Sequence, residues 1–198
     1  MPKLLLATSN LGKIREYRLL LDDLGYQMIT LAEEGLTEGV AESGNSYEQN
    51  ARIKAITYAK LRRLLTLADD SGLEIDALNG EPGVKSARFA GEAATDVDKV
   101  SLLLAKLNGV PWERRTACYK CVIAIATSEG HCNICYGECC GLIAFKTKGK
   151  NGFGYDPIFF LPELGKTMAE LPLEVKNQIS HRGRASQHVR QVLQQLPI

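Results

Sequence analysis

The chain has 198 residues, 45% of them hydrophobic and 24% charged. That length and composition allow a packed core and exclude an intrinsically disordered chain. A formal net charge of +1 gives no broad field for nucleic acid or an anionic membrane, and no apolar run reaches the ~18 residues of a spanning helix, so neither partner is expected.

Lys3 to Ala7 is an apolar run that reads as a first strand. The run is too short for a signal peptide, so a cytoplasmic location is expected, with the six cysteines reduced. Thr8-Ser9-Asn10-Leu11-Gly12-Lys13 follows, and then Ile14, Tyr17, Leu20, Leu21 and Leu24 recur at helical spacing. Thr8, Ser9 and Asn10 can cap that helix, and its free N–H groups form an anion site. Lys13 places a positive charge where the helix dipole prefers a negative one, which suggests a bound anion such as phosphate. The GxxxxGK[ST] pattern is absent, and an ordinary capped helix with a surface lysine accounts for the same residues.

Tyr26 to Leu31 reads as a second strand, and Glu33 to Gly44 as an acidic, glycine-rich loop carrying Glu38 and Glu42. Ser46 is the candidate N-cap of a helix to about Arg63, with Tyr47, Ile53, Ile56 and Ala59 as its apolar positions and Lys54, Lys60, Arg62 and Arg63 outside. Leu64 to Ala68 is a short buried strand that runs into Asp69-Asp70-Ser71-Gly72. If the strand stops there, two adjacent carboxylates stand at its carboxyl end, where chemistry collects in open α/β sheets. Such a pair calls for a hard cation or a shared proton, although a solvated turn uses the same residue types.

Glu74 to Leu78 alternates like a further strand, ended by a turn at Asn79-Gly80. Pro82 to Gly91 reads as loop. Thr95-x-x-Asp98 resembles a capping box for a helix with Val100, Leu103, Leu104 and Leu107 on one face. Thr116 to Thr127 and His131 to Phe145 read as two strands joined at Ser128-Glu129-Gly130. Cys118-x2-Cys121 and Cys132-x2-Cys135 carry zinc spacing, but i and i+3 point to opposite faces of a strand, so metal-free cysteines are expected. The glycine-interleaved loop Gly152-Phe153-Gly154-Tyr155-Asp156 offers close backbone approach and flat rings. Leu173 to Asn177 reads as a helical turn, and Ser180-His181-Arg182 opens a last helix with Val189, Val192 and Leu193 inward. His131 and His188 read as surface residues. The fold class expected is α/β: a mixed central sheet flanked by helices, in one domain over 1–198 with two lobes and the active-site cleft between them.

Six motifs in order, from Thr8–Lys13 through Glu42-x-Gly44 and Glu48-x-Asn50-Ala51, Ala68–Leu73, Pro82-Gly83-x-x-Ser86-Ala87-Arg88 and Gly152–Phe159 to Ser180-His181-Arg182-Gly183-x-Ala185, resemble the inosine triphosphate pyrophosphatase (Ham1-like) family. The resemblance runs from about residue 3 to 195 and is nearest to the bacterial branch. It implies a homodimeric, Mg²⁺-dependent enzyme that cleaves ITP, dITP and XTP between the α- and β-phosphorus. It implies triphosphate binding by Thr8, Ser9, Asn10, Leu11, Gly12 and Lys13, magnesium on Glu42 and Asp70, and Asp70 as the proton acceptor, with Ser71 against the substrate. It implies a nucleoside pocket from Phe153, Gly154, Tyr155, Asp156, Lys176, His181 and Arg182, whose donors suit a 6-oxo purine and not adenine. Thr147 departs from the family's usual proline, and the segment Cys132 to Cys140 is unusually rich in cysteine.

Overall fold

The computed structural model describes residues 1–36 and 39–196; Glu38 of the acidic loop lies outside the described residues. In chain order the elements are β1 (Lys3–Leu6), α1 (Leu11–Leu20), β2 (Gln27–Thr30), α2 (Tyr47–Arg62), β3 (Leu65–Ile75), α3 (Asp96–Lys106), β4 (Thr116–Ala126), β5 (Cys132–Ile143), β6 (Phe159–Leu161), β7 (Lys166–Thr167), α4 (Leu173–Ile179) and α5 (His181–Gln195). Seven strands form one sheet in the order β2-β1-β3-β4-β5-β6-β7. β1 runs parallel to β2 and β3, with Leu4 opposite Met28 on one side and Leu65 on the other. β6 is antiparallel to β5 and β7, so the sheet is mixed, as expected. Among the described residues no helix is long and apolar enough to cross a membrane.

The caps that the sequence offers are used. The Asn10 carboxamide accepts from the N–H groups of Gly12 and Lys13, the Ser46 hydroxyl from Gln49, and Thr95 and Asp98 close a full capping box. Each satisfies donors that a helix start leaves unpaired.

The chain divides into two compact units. The first comprises residues 1–70, 121–137 and 182–198, with Leu4, Leu6, Tyr17, Leu67, Ile123, Ile125, Val189 and Leu193 at its core. The second comprises 71–120 and 138–181, with Leu73, Ile75, Leu103, Leu107, Tyr155, Phe159 and Met168 at its core. Arg115 is buried in the second unit and donates to the carbonyls of Leu107, Ile143 and Ala144, tying α3 to the end of β5.

Four expectations are corrected. β3 does not stop at Ala68: it continues through Asp69-Asp70-Ser71-Gly72 to Ile75. The carboxylates are tolerated within a strand because each finds its own partners. The separate strand expected at Glu74 to Leu78 is the end of β3 followed by a 3₁₀ turn at Asp76–Leu78. The buried face of α2 uses Tyr47, Asn50, Ala51, Ala55, Tyr58 and Ala59, while Ile53 and Ile56 are only half-buried and Lys54 is not an outward lysine. The cysteines are not all reduced: Cys118 of β4 and Cys140 of β5 form a disulfide, because these neighbouring strands bring their Cα atoms to 4.0 Å.

Candidate active site

Six of the site residues expected from the sequence, Thr8 to Lys13, run from the end of β1 into the first turn of α1. Ser9, Asn10 and Leu11 are exposed, and Thr8, Gly12 and Lys13 half-buried, so this helix start is open to a ligand. Lys13 Nζ lies 2.8 Å from the Asp69 carboxylate in β3. One turn on from Lys13, Glu16 is buried and takes Arg182 Nη1 at 2.5 Å, while Arg182 Nη2 stands 3.4 Å from Asp69. The fork of Arg182, expected to meet a purine edge, is therefore held by two carboxylates in the first unit.

Successive strand residues face opposite sides, and β3 uses this to give its two aspartates different environments. Burial pushes the Asp69 carboxyl up, but Lys13, Arg182 and Lys54 outweigh it and hold it well below the usual carboxylate range. Asp70 is buried too and accepts from Asn50 Nδ2 at 2.9 Å. There burial dominates: it raises Asp70 against the pull of Lys54, the Asn50 hydrogen bond and Lys13, and the charge of Glu42 adds to the rise. A carboxylate whose proton affinity is raised is a better general base.

Lys54 and Asn50 are the residues that the sequence reading did not assign. Lys54 Nζ donates to Glu42 at 2.5 Å and to the Asp69 carbonyl at 2.7 Å, and its own pKa is raised because Asp69 and Glu42 outweigh its burial. Asn50 Oδ1 also receives the Gly44 N–H at 2.9 Å, and a Cβ on Gly44 would come within 2.7 Å of that oxygen. Asn50 and Lys54 are four apart on α2 and so share one face. That spacing, together with the carboxylates at 42, 69 and 70, is the signal that could have found them.

Glu42 and Asp70 fit the magnesium expected of them. Both offer oxygen, the charge of Glu42 acts on Asp70, and a cation, the Lys54 ammonium, already balances them. Among the described residues no group of three or more His, Cys, Asp or Glu side chains could hold a metal ion. One or two carboxylates completed by water and phosphate is how Mg²⁺ is usually held, unlike a closed protein cage.

The second unit holds the remaining site residues. Ser71 is half-buried on β3. In the aromatic loop, Asp156 accepts from the Phe153 N–H at 2.9 Å and forms a buried ion pair with Lys176 of α4. Gly152 has φ +74, and a Cβ there would strike the Asp156 carboxylate, so glycine is required. The Gly154 N–H donates to Asp96 at the start of α3, 2.7 Å away, and the Tyr155 hydroxyl to the Ser86 carbonyl at 2.8 Å. Lys176 Nζ is 4.7 Å from the half-buried Phe153 ring. His181 opens α5, is buried, and stacks on Tyr119. Thus a ring and two donor side chains, Lys176 and His181, are gathered in this unit, while Arg182, one residue later, belongs to the other.

The zinc spacing resolves without a four-sulfur site. Cys118 and Cys140 are bonded to each other in the second unit, whereas Cys121 and Cys135 are buried in the core of the first. Cys121 Sγ is 3.9 Å from Asp69, and burial, with that carboxylate, pushes its thiol up to about 12. His131 and His188 are exposed, as expected.

The family model described as the Ham1 family matches residues 4–192. A dITP/XTP pyrophosphatase of Desulforamulus reducens is 50% identical over 197 residues, covering 99% of this chain and 98% of that protein. One of Geobacter sulfurreducens is 48% identical over 185 residues, covering 93% of each. The solved structure of a HAM1 protein from Coxiella burnetii superposes with a TM-score of 0.89 at 42% identity, covering 99% of this chain and 100% of that one.

Proposed function

Since the chain belongs to the Ham1 family, we propose that it hydrolyses the triphosphates of deaminated purines, ITP, dITP and XTP, to the monophosphate and pyrophosphate. The observation that carries this reading is Asp70, a buried carboxyl of raised proton affinity in the same unit as a lysine-bearing helix start. In this reading the triphosphate lies on the residues from Thr8 to Lys13. Lys13 and the N–H groups of the first turn of α1 face its negative charge.

Glu42 and Asp70 would hold Mg²⁺, which neutralises charge on the leaving pyrophosphate when bound. Asp70 takes the proton of the water that attacks the α-phosphorus, and Asn50 fixes the carboxylate that does so. Asp69 holds Lys13, and Ser71 lies against the substrate. Phe153 stacks on the base, with Gly154 and Tyr155 shaping the loop and Asp156 anchoring Lys176. Lys176 and His181 offer donors to a 6-oxo acceptor, so the amino group of adenine would leave donors unpaired at about 1–3 kcal/mol each. Arg182 belongs to the same substrate set as the cation that balances Glu16 and Asp69. A homodimer, implied by the family resemblance, and a cytoplasmic location complete the proposal.

The test is a panel of nucleoside triphosphates with Mg²⁺, assayed for pyrophosphate. Release from ITP, dITP and XTP well above that from ATP is expected. Equal turnover of all four, or release of orthophosphate alone, overturns the reading.

A further inference from the structure

Each of the three donor side chains of the proposed base site has a defined contact. Lys176 is fixed by an ion pair to Asp156, and Arg182 by Glu16 and Asp69. His181 lies flat on the Tyr119 ring, with centroids 4.5 Å apart and an interplanar angle of 9°. Tyr119 projects from β4 and packs in turn on Phe159 of β6, with centroids 4.6 Å apart. Phe159 is fully buried, and Tyr119 and His181 are 7% and 4% exposed, so the stack runs from the core of the second unit to the imidazole. An imidazole turns about a broad, weakly preferred χ2 torsion, so its own rotamer does not set the plane of the ring. A flat neighbour constrains it.

We infer that Tyr119 is a positioning residue of the base site: it fixes the plane in which the His181 imidazole presents its nitrogen to the purine. The inference rests on the reading of His181 as a base-binding residue. It makes specificity depend on a strand residue that lies outside every motif of the family resemblance. The contribution is the ring itself and not the hydroxyl, because the contact is face to face.

The experiment is a double-mutant cycle on ITP hydrolysis, with KM and kcat measured separately. Tyr119→Leu keeps an apolar side chain and removes the stack. It is expected to raise KM about 3- to 10-fold, the size of one aromatic pair, with kcat changed less than KM. Tyr119→Phe restores most of that loss. In a His181→Ala background Tyr119→Leu adds nothing further. If His181→Ala itself leaves KM for ITP unchanged, the base-site assignment fails and the inference with it. If His181→Ala raises KM but Tyr119→Leu does not, or if the two effects multiply, only the inference fails. Should Tyr119→Leu not fold, proton NMR of wild type and Tyr119→Phe decides. His181 ring protons shifted upfield by the stacked ring support the inference, and unshifted ones overturn it.

Discussion

The two units gather their candidate site residues by opposite means. In the first, Lys13, Glu16, Asp69 and Arg182 form a chain of ion pairs, and Glu42, Lys54, Asn50 and Asp70 form a second polar group beside Asp69. In the second, one buried ion pair, Asp156 with Lys176, serves a set dominated by rings: Phe153, Tyr155, Tyr119 and His181. Charge in quantity suits phosphate, where field strength and proton transfer decide the rate. Rings with a few placed donors suit a flat base, where shape and unpaired donors decide selectivity. The contrast predicts that damage to the first unit's set lowers kcat, and damage to the second's raises KM.

Asp70→Asn should break the comparison most sharply. It keeps the shape and removes both the proposed base and a proposed magnesium ligand, so pyrophosphate release from ITP should fall by roughly 10²–10⁴-fold. Folding should not suffer: the native carboxyl has a raised pKa, so ionising it at neutral pH costs stability, and the amide escapes that cost. Thermal melting at or above the wild-type temperature with activity lost is the expected pair of results. Turnover within a few-fold of wild type would remove Asp70 from the chemistry.

Next in size is Lys176→Met. Removing one partner of a buried pair leaves the Asp156 carboxylate without its ammonium, a loss of about 3–5 kcal/mol. Denaturant melts should show it, and KM for ITP should rise because a proposed base donor is gone. If stability is unchanged, the aromatic loop is not held by this pair.

Much of this was legible in the sequence, for reasons that differ by residue. The caps at Asn10, Ser46 and Thr95 and the inward faces of α1, α3 and α5 follow from local rules, and they stand in the structure. Asp69 to Gly72 reads as the stop of a strand because those residue types favour turns, yet β3 runs through them. Only tertiary partners, Lys13 from α1 and Asn50 from α2, make carboxylates acceptable within a strand. Lys54 looks like a solvent-facing lysine for the same reason, since nothing within its own helix reveals Glu42. The pairing of Cys118 with Cys140 depends on strand register, which spacing along the chain does not reveal.

That disulfide supplies the third prediction. Closing a separation of 22 residues stabilises by roughly 3.4 kcal/mol through the unfolded chain. Cys118→Ser, or reduction by dithiothreitol, should lower the denaturation midpoint accordingly. Six thiols titrated after denaturing the unreduced protein, in place of four, would overturn the bond.

The smallest effect separates the two adjacent aspartates by sign. Asp69 has a folded pKa below its unfolded value of about 3.9, so the folded state releases its proton more readily than the unfolded chain does. Its stabilisation is present above that unfolded value and is lost as pH falls toward the folded pKa. Asp70 has a raised folded pKa, so its contribution has the opposite sign: stability is lost as pH rises from about 3.9 through the raised value. One group changes the slope by at most about 1.4 kcal/mol per pH unit. Exposed acids such as Asp23 and Asp98 are also held low, by Arg190 and by Thr95, so the acid limb of the wild type is a sum. Urea melts of wild type, Asp69→Asn and Asp70→Asn between pH 2 and 6 isolate each share by difference. Relative to wild type, Asp69→Asn should flatten the loss of stability below pH 4, and Asp70→Asn should gain stability as pH rises above 4. Parallel curves for the two variants would mean that the two faces of β3 treat their carboxylates alike.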